Sequence, residues 1–214
     1  MNSSGEILCG LDEAGRGPLA GPVCAAAVIL PPDFPAGVLN DSKKLSATAR
    51  EKARLIIYSQ ALALGIGWAS AAEIDGINIL KASLLAMKRA FEEMIANVGK
   101  NAVGKNAVGK NAAGSNAAGN AMVRECHAIV DGLFTPDLPV PCQPLVKADT
   151  LVPAVMAASI LAKTARDRLM EYYGLFYPEY GYERHKGYPT KAHREAILRW
   201  GPSPIQRMSF RIRE

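Results

Sequence analysis

The chain has 214 residues, of which 49% are hydrophobic and 21% charged, with a formal net charge of +5. This is ordinary for a globular chain that can bury a sizeable core in one domain, and no apolar run approaches the roughly 18–20 residues of a membrane span. The four cysteines (Cys9, Cys24, Cys126, Cys142) show no C-x-x-C spacing, and residues 1–6 have neither a basic nor an apolar leader region. Neither a zinc site, a disulfide framework nor a signal peptide is therefore expected, and reduced thiols in the cytoplasm are. The charge is uneven: residues 163–214 hold eleven Lys/Arg against six Asp/Glu, which accounts for all of it. Such a segment suits a polyanionic partner, or simply a solvated helical surface.

In chain order, residues 7–11 form a short apolar run that reads as a buried strand and leads into Asp12-Glu13 and the turn Gly15-Arg16-Gly17. In a regular strand the two acids point to opposite faces, so a shared site requires the strand to end or bulge there. Residues 20–30 read as a second strand, most simply paired antiparallel with the first. After a proline-rich break and the loop 40–44, Ser46 offers an N-cap for a helix to about residue 62. Residues 65–69 read as a strand and 73–96 as mostly helical.

Residues 97–121 carry a five-residue repeat, Asn-Ala-Val-Gly-Lys decaying to Asn-Ala-Ala-Gly-Ser and Asn-Ala-Ala-Gly-Asn. That period fits neither helix nor strand, and almost nothing in it can be buried. Residues 99–106 have the spacing of a phosphate-binding P-loop. The magnesium-binding Ser/Thr is Asn106, however, and no apolar strand precedes it, so the stretch is a low-complexity loop insertion rather than a nucleotide site. Residues 125–132 form a strand ending in Asp131-Gly132. Residues 143–149 read as a short strand ending on Asp149, and 152–173 as a helix. Residues 172–188 hold seven of the fourteen aromatic residues, and a final helix spans about 191–200 before Gly201-Pro202.

Three strands thus end in acids: Asp12-Glu13, Asp131 and Asp149. In an α/β sheet, strand ends on one side build the usual crevice. Four converging carboxylates need cations among them, and an all-oxygen set matches magnesium or manganese. Two such ions about 3.5–4 Å apart are suited to phosphodiester hydrolysis. Taken singly, the acids also fit solvated strand ends, and Asp131-Gly132 fits a plain turn.

Residues 11–23 (Leu-Asp-Glu-Ala-Gly-Arg-Gly-Pro-Leu-Ala-Gly-Pro-Val) resemble the opening motif of the ribonuclease HII family, the type 2 ribonucleases H. Asp41-Ser42-Lys43-Lys44-Leu45, Val130-Asp131-Gly132, Lys147-Ala148-Asp149, residues 157–163 with Arg166-Asp167-Arg168, and His185-Lys186-Gly187-Tyr188 resemble it too, in the family's order. The resemblance implies an α/β, ribonuclease H-like fold with a mixed five-stranded sheet flanked by helices. It implies one catalytic domain over 1–214, with 97–121 inserted in a loop and 172–214 a helical, basic and aromatic substrate-binding part. It marks Asp12, Glu13, Asp131 and Asp149 as metal-binding catalytic carboxylates for Mg2+ or Mn2+.

The implied reaction is endonucleolytic cleavage of RNA in RNA–DNA hybrids, including single ribonucleotides within duplex DNA. Cutting falls 5′ of the ribonucleotide and leaves 3′-hydroxyl and 5′-phosphate ends. Backbone groups of Gly15, Arg16 and Gly17 can approach a sugar closely enough to read its 2′-hydroxyl. The family's tyrosine falls on Tyr188, where its ring would stack on the neighbouring deoxyribose. Lys43, Lys44, Lys163, Arg166 and Lys186 are candidate phosphate contacts, and Ser159 a further substrate-binding position. His185 and His193 are packed or solvated side chains rather than proton carriers. A monomer without a membrane partner is expected, and six residues before the first strand are expected to leave no room for the extra N-terminal domain of the sister type 3 enzymes. The stretch 206–210 is less basic than the family tends to be there. The alternatives left open are a metal-dependent DNA nuclease or phosphoryl transferase on the same fold, and a non-catalytic hybrid-binding module.

Overall fold

The computed structural model describes residues 7–39, 46–98 and 125–211, so the 40–44 loop with Lys43 and Lys44, and almost all of the repeat, lie outside the described residues. Five strands, β1 (Ile7–Ala14), β2 (Val23–Ile29), β3 (Ala63–Ala69), β4 (Cys126–Asp131) and β5 (Cys142–Leu145), form one mixed sheet in the order β3-β2-β1-β4-β5. β1 and β2 pair antiparallel, as do β2 and β3, whereas β4 runs parallel to β1 and β5 parallel to β4. The α-helices among the described residues are α1 (Ala47–Gln60), α2 (Ala71–Ile77), α3 (Ile79–Asn97), α4 (Ala148–Leu151), α5 (Pro153–Phe176), α6 (Tyr182–His185) and α7 (Lys191–Trp200).

Strand alternation sorts the core into two layers. Cys9, Leu11, Ala25, Ala27, Ala128 and Val130 face α3 through Ala86, Met87, Ala90, Phe91 and Met94. Cys24, Ala26 and Val28 face α5 and α1 through Ala157, Ala158, Leu161, Ala53 and Ile57. The sheet is built of small residues, and this lets helix backbones lie directly on it. A Cβ at Gly10 would sit 2.1 Å from the Ala154 carbonyl carbon at the start of α5, and one at Gly67 would sit 2.0 Å from the Ala86 carbonyl oxygen in α3.

Three expectations change. The 73–96 helix is two helices, because Asn78 takes a left-handed φ of 69° and its side chain caps α3 through the Lys81 N–H. The second strand starts at Val23, since residues 15–22 form a turn. The stretch 143–149 is not a strand ending on Asp149: β5 stops at Leu145, and Asp149 lies in the single helical turn α4. No described helix is long and apolar enough to cross a membrane.

Overpacking against backbone cannot be relieved by a rotamer change. Gly67→Ala is expected to lower stability to urea by on the order of 2 kcal/mol. Gly37→Ala, where a Cβ meets nothing within 4 Å, should stay within about 0.5 kcal/mol of the parent. Equal midpoints for the two variants would refute the close sheet–helix contact.

Candidate active site

The site follows from the register of β1 and β4. Leu11 lies opposite Val130 in this parallel pair, so Asp12 and Asp131 are the next neighbours, and alternation turns both toward the α5 face. Asp149 arrives from the helical layer on that same face. Its turn is tied down by the Ala148 N–H, which donates to Asp131 Oδ1 at 2.9 Å. One carboxylate oxygen from each of Asp12, Asp131 and Asp149 lies within 4.8 Å of the others. Asp12 and Asp149 are buried and Asp131 half-buried.

Glu13 lines the same cleft but stays outside this set of three. Its neighbour Asp12 occupies the inward position, and the Glu13 carboxylate accepts instead from Arg16 Nη1 at 3.1 Å. The strand neither ends nor bulges at Asp12, as expected for a shared site; it continues in unbroken register to Ala14. Burial, then the charge of Glu13, pushes the Asp12 carboxyl well above its usual range, against a hydrogen bond from Ser159. Burial also raises Glu13, with Arg16 opposing. A donor set of carboxylates alone fits a hard divalent cation, which would offset this repulsion.

The cleft is lined by Asp12, Glu13, Asp131, Gly15, Arg16, Gly17, Arg50, Ser159, Lys163 and Tyr188, among others. Asp12, Glu13 and Asp131 therefore share one concavity with the Gly-Arg-Gly turn and the tyrosine, while Asp149 lies buried behind them. A Cβ at Gly17 would lie 3.7 Å from the Tyr188 ring, and Lys163 Nζ is 5.9 Å from that ring's centroid. Tyr188 is held by its neighbours. Its N–H donates to the His185 carbonyl at 2.9 Å, and its carbonyl accepts from His193 Nδ1 at 3.0 Å. The His185 and His193 rings stack at 4.5 Å. Burial pushes the His193 imidazole down to about 4, so it is a neutral packing group at neutral pH.

Two of the expected phosphate contacts are placed elsewhere. Arg166 is buried, and its guanidinium donates to the carbonyls of Pro22, Lys186 and Ala20. It is not among the residues that line the cleft. Lys186 Nζ pairs with Glu171 at 2.9 Å and does not line the cleft. Two residues were missed. Arg50 lines the cleft from the first turn of α1, and a cation at that end of a helix opposes the macrodipole, a local signal that points to a role outside the helix. Arg207 is fully buried beneath the 15–22 turn, and no local pattern in the stretch 206–210 reveals this.

A family model described as Ribonuclease HII matches residues 9–213. The chain is 51% identical over 210 residues to a ribonuclease HII of Treponema denticola, covering 97% of this chain and 99% of that one. It is 46% identical over 208 residues to a ribonuclease HII of Syntrophotalea carbinolica, covering 97% and 87%. Among solved structures, the fold is similar to that of the PCNA:RNase HII complex from Archaeoglobus fulgidus, with a TM-score of 0.67 at 24% identity over 97% of this chain and 96% of that chain.

Asp12 and Glu13 favour folding while protonated, and that contribution is lost as pH rises through their raised folded-state pKa values. A cation that needs both deprotonated should restore it. The gain in melting temperature on adding Mn2+ is therefore expected to be larger at pH 8 than at pH 5, and to be largely removed by Asp12→Asn. A gain that is independent of pH, or unchanged in Asp12→Asn, would refute this.

Proposed function

As a member of the ribonuclease HII family the chain is an enzyme of the ribonuclease H class, and we propose that it is a two-metal endonuclease acting on RNA–DNA hybrids and on single ribonucleotides embedded in duplex DNA. The cut falls 5′ of the ribonucleotide and leaves 3′-hydroxyl and 5′-phosphate ends. The observation that carries this reading is the shared cleft: Asp12 and Asp131, a glycine turn and an aromatic ring line one concave surface, and buried Asp149 completes a three-aspartate cluster within 4.8 Å. A DNA-only nuclease has no use for a backbone wall at sugar height.

Asp12, Asp131 and Asp149, with Glu13 at the rim, would hold Mg2+ or Mn2+. When bound, two such ions activate the attacking water and stabilise the leaving oxygen. Ser159 fixes the orientation of Asp12 by hydrogen bonding to it. Gly15, Arg16 and Gly17 admit a sugar against their backbone, where N–H groups can donate to the 2′-oxygen that DNA lacks. Tyr188 offers its face to the next sugar, which favours an RNA-to-DNA junction. Lys163 and Arg50, at the cleft wall, and Lys43 and Lys44 are assigned to the phosphates, where they add affinity and salt dependence without reading sequence.

The test uses a labelled DNA duplex carrying one ribonucleotide, a full RNA–DNA hybrid and an all-DNA duplex, each with Mg2+, Mn2+ or chelator. A nick 5′ of the ribonucleotide that needs the ion, is absent from the all-DNA duplex, and falls at least a hundredfold in Asp12→Asn or Asp131→Asn is expected. Equal cutting of all three duplexes would overturn the 2′-hydroxyl reading. Hybrid binding without cutting would reduce the chain to a binding module.

A further inference from the structure

Arg166 and Arg207 are the two largest fully buried side chains among the described residues. Neither guanidinium hydrogen-bonds a carboxylate among those residues, although the charges of Asp75 and Asp167 act on Arg207 and Arg166 respectively; both donate to backbone. Arg207 donates from Nη2 to the carbonyls of Gly15 (2.6 Å) and Pro22 (3.2 Å), from Nη1 to Arg16 (3.0 Å) and from Nε to Gly21 (2.8 Å). Arg166 donates to Pro22 (2.9 Å), Lys186 (3.0 Å) and Ala20 (3.1 Å). It also lies so close under Gly15, whose φ is +100°, that a Cβ there would meet its Nε at 2.0 Å. Two desolvated charges are an expensive way to stabilise a surface turn when apolar packing serves as well. Their arrangement calls for another reason.

Peptide planarity supplies one. Across a trans peptide the C=O of one residue and the N–H of the next point in opposite directions, and the described residues contain no cis peptide. With the carbonyls of Gly15 and Arg16 drawn down onto Arg207, the N–H groups of Arg16 and Gly17 must point away from it. The cleft lies on that side: it is lined by Gly15, Arg16 and Gly17 and by neither buried arginine. Pro18 follows and has no N–H, so these two are the donors whose direction Arg207 sets. Among the described residues no acceptor takes either of them.

We propose that Arg166 and Arg207 are positioning residues for substrate recognition, which hold the 15–22 turn by its carbonyls so that the Arg16 and Gly17 N–H groups stand ready for the 2′-oxygen of a ribonucleotide. The assignment rests on the reading that this turn meets the 2′-hydroxyl. Arg207 sets the direction of the two donors. Arg166 links the turn to the Tyr188 segment through the Lys186 carbonyl, so that both walls of the sugar site move together. The planar fork matters more than the charge, because an ammonium presents its donors from one nitrogen and cannot span carbonyls arrayed around a guanidinium.

The experiment measures kcat/KM for two duplexes that differ at one sugar, a ribonucleotide and its 2′-fluoro-2′-deoxy analogue, which keeps the site but is a poor acceptor. The ratio of the two values does not depend on how much enzyme is folded, so it reads recognition even in a destabilised variant. Arg207→Lys is expected to shrink the ratio at least tenfold relative to wild type, mainly by slowing the ribonucleotide substrate. Arg166→Lys should shrink it as well, and it decides the matter if Arg207→Lys is insoluble. A wild-type enzyme that discriminates, with variants that keep the same ratio at whatever loss of melting temperature, would show the arginines to be structural only and overturn the proposal. A wild-type enzyme that cuts both duplexes equally would instead remove the 2′-hydroxyl reading itself, and the proposal with it.

Discussion

Like charges held close together are the constraint from which this architecture follows. Two unit charges 4 Å apart repel by about 4 kcal/mol at an effective dielectric near 20, and here three aspartate oxygens lie within 4.8 Å of one another in a largely buried cradle. Only a rigid frame can impose that. The parallel pairing of β1 and β4 places Asp12 beside Asp131, and the hydrogen bond from Ala148 to Asp131 brings α4, and with it Asp149, onto the same spot. Glycine and alanine in the sheet let α5 lie directly on β1 at Gly10, so the helical layer is close enough to deliver its acid. A cation is the natural complement of such a cluster, because it turns the repulsion into coordination.

The long helix α5 serves several parts of the site at once. Ser159, Lys163, Arg166 and Met170 recur at intervals of three and four residues, and so lie along one stripe of it. Ser159 bonds Asp12, Lys163 stands by the Tyr188 ring, Arg166 grips the 15–22 turn, and Met170 packs against Gly21 and Gly187. Asp12, the glycine turn and the aromatic residue are thereby referred to a single rigid rod. Across the cleft, the stacked His185–His193 pair braces the Tyr188 segment, and the Leu19 to Gly187 backbone bond ties it to the turn from the other side.

Particular residues show where sequence reading worked and where it misled. Asp12 and Asp131 were legible because each follows an apolar run, although β1 continues past Asp12 to Ala14. Asp149 was recognised as an acid of the site but assigned to the wrong element: the stretch before it looks strand-like, yet β5 is four residues long and the chain then turns into a helix. Arg166 reads from the sequence as a phosphate contact, and the structure adds three backbone partners. A cation in a basic segment suggests a phosphate contact, and only burial reveals that its partners are carbonyls.

What the sequence determined by itself is whatever local patterning encodes: alternating apolar strands, periodic helices, capping residues such as Ser46, and a motif order that places the chain in its family. The mixed five-stranded sheet and the acids of the cleft were within reach of that information. What the tertiary structure alone decided is which groups meet across long separations. Arg207 grips carbonyls 185 to 192 residues earlier in the chain, and Arg50 reaches the cleft from α1. Such pairings leave no periodic trace, because a hydrogen bond between a side chain and a distant carbonyl imposes nothing on the residues around either partner.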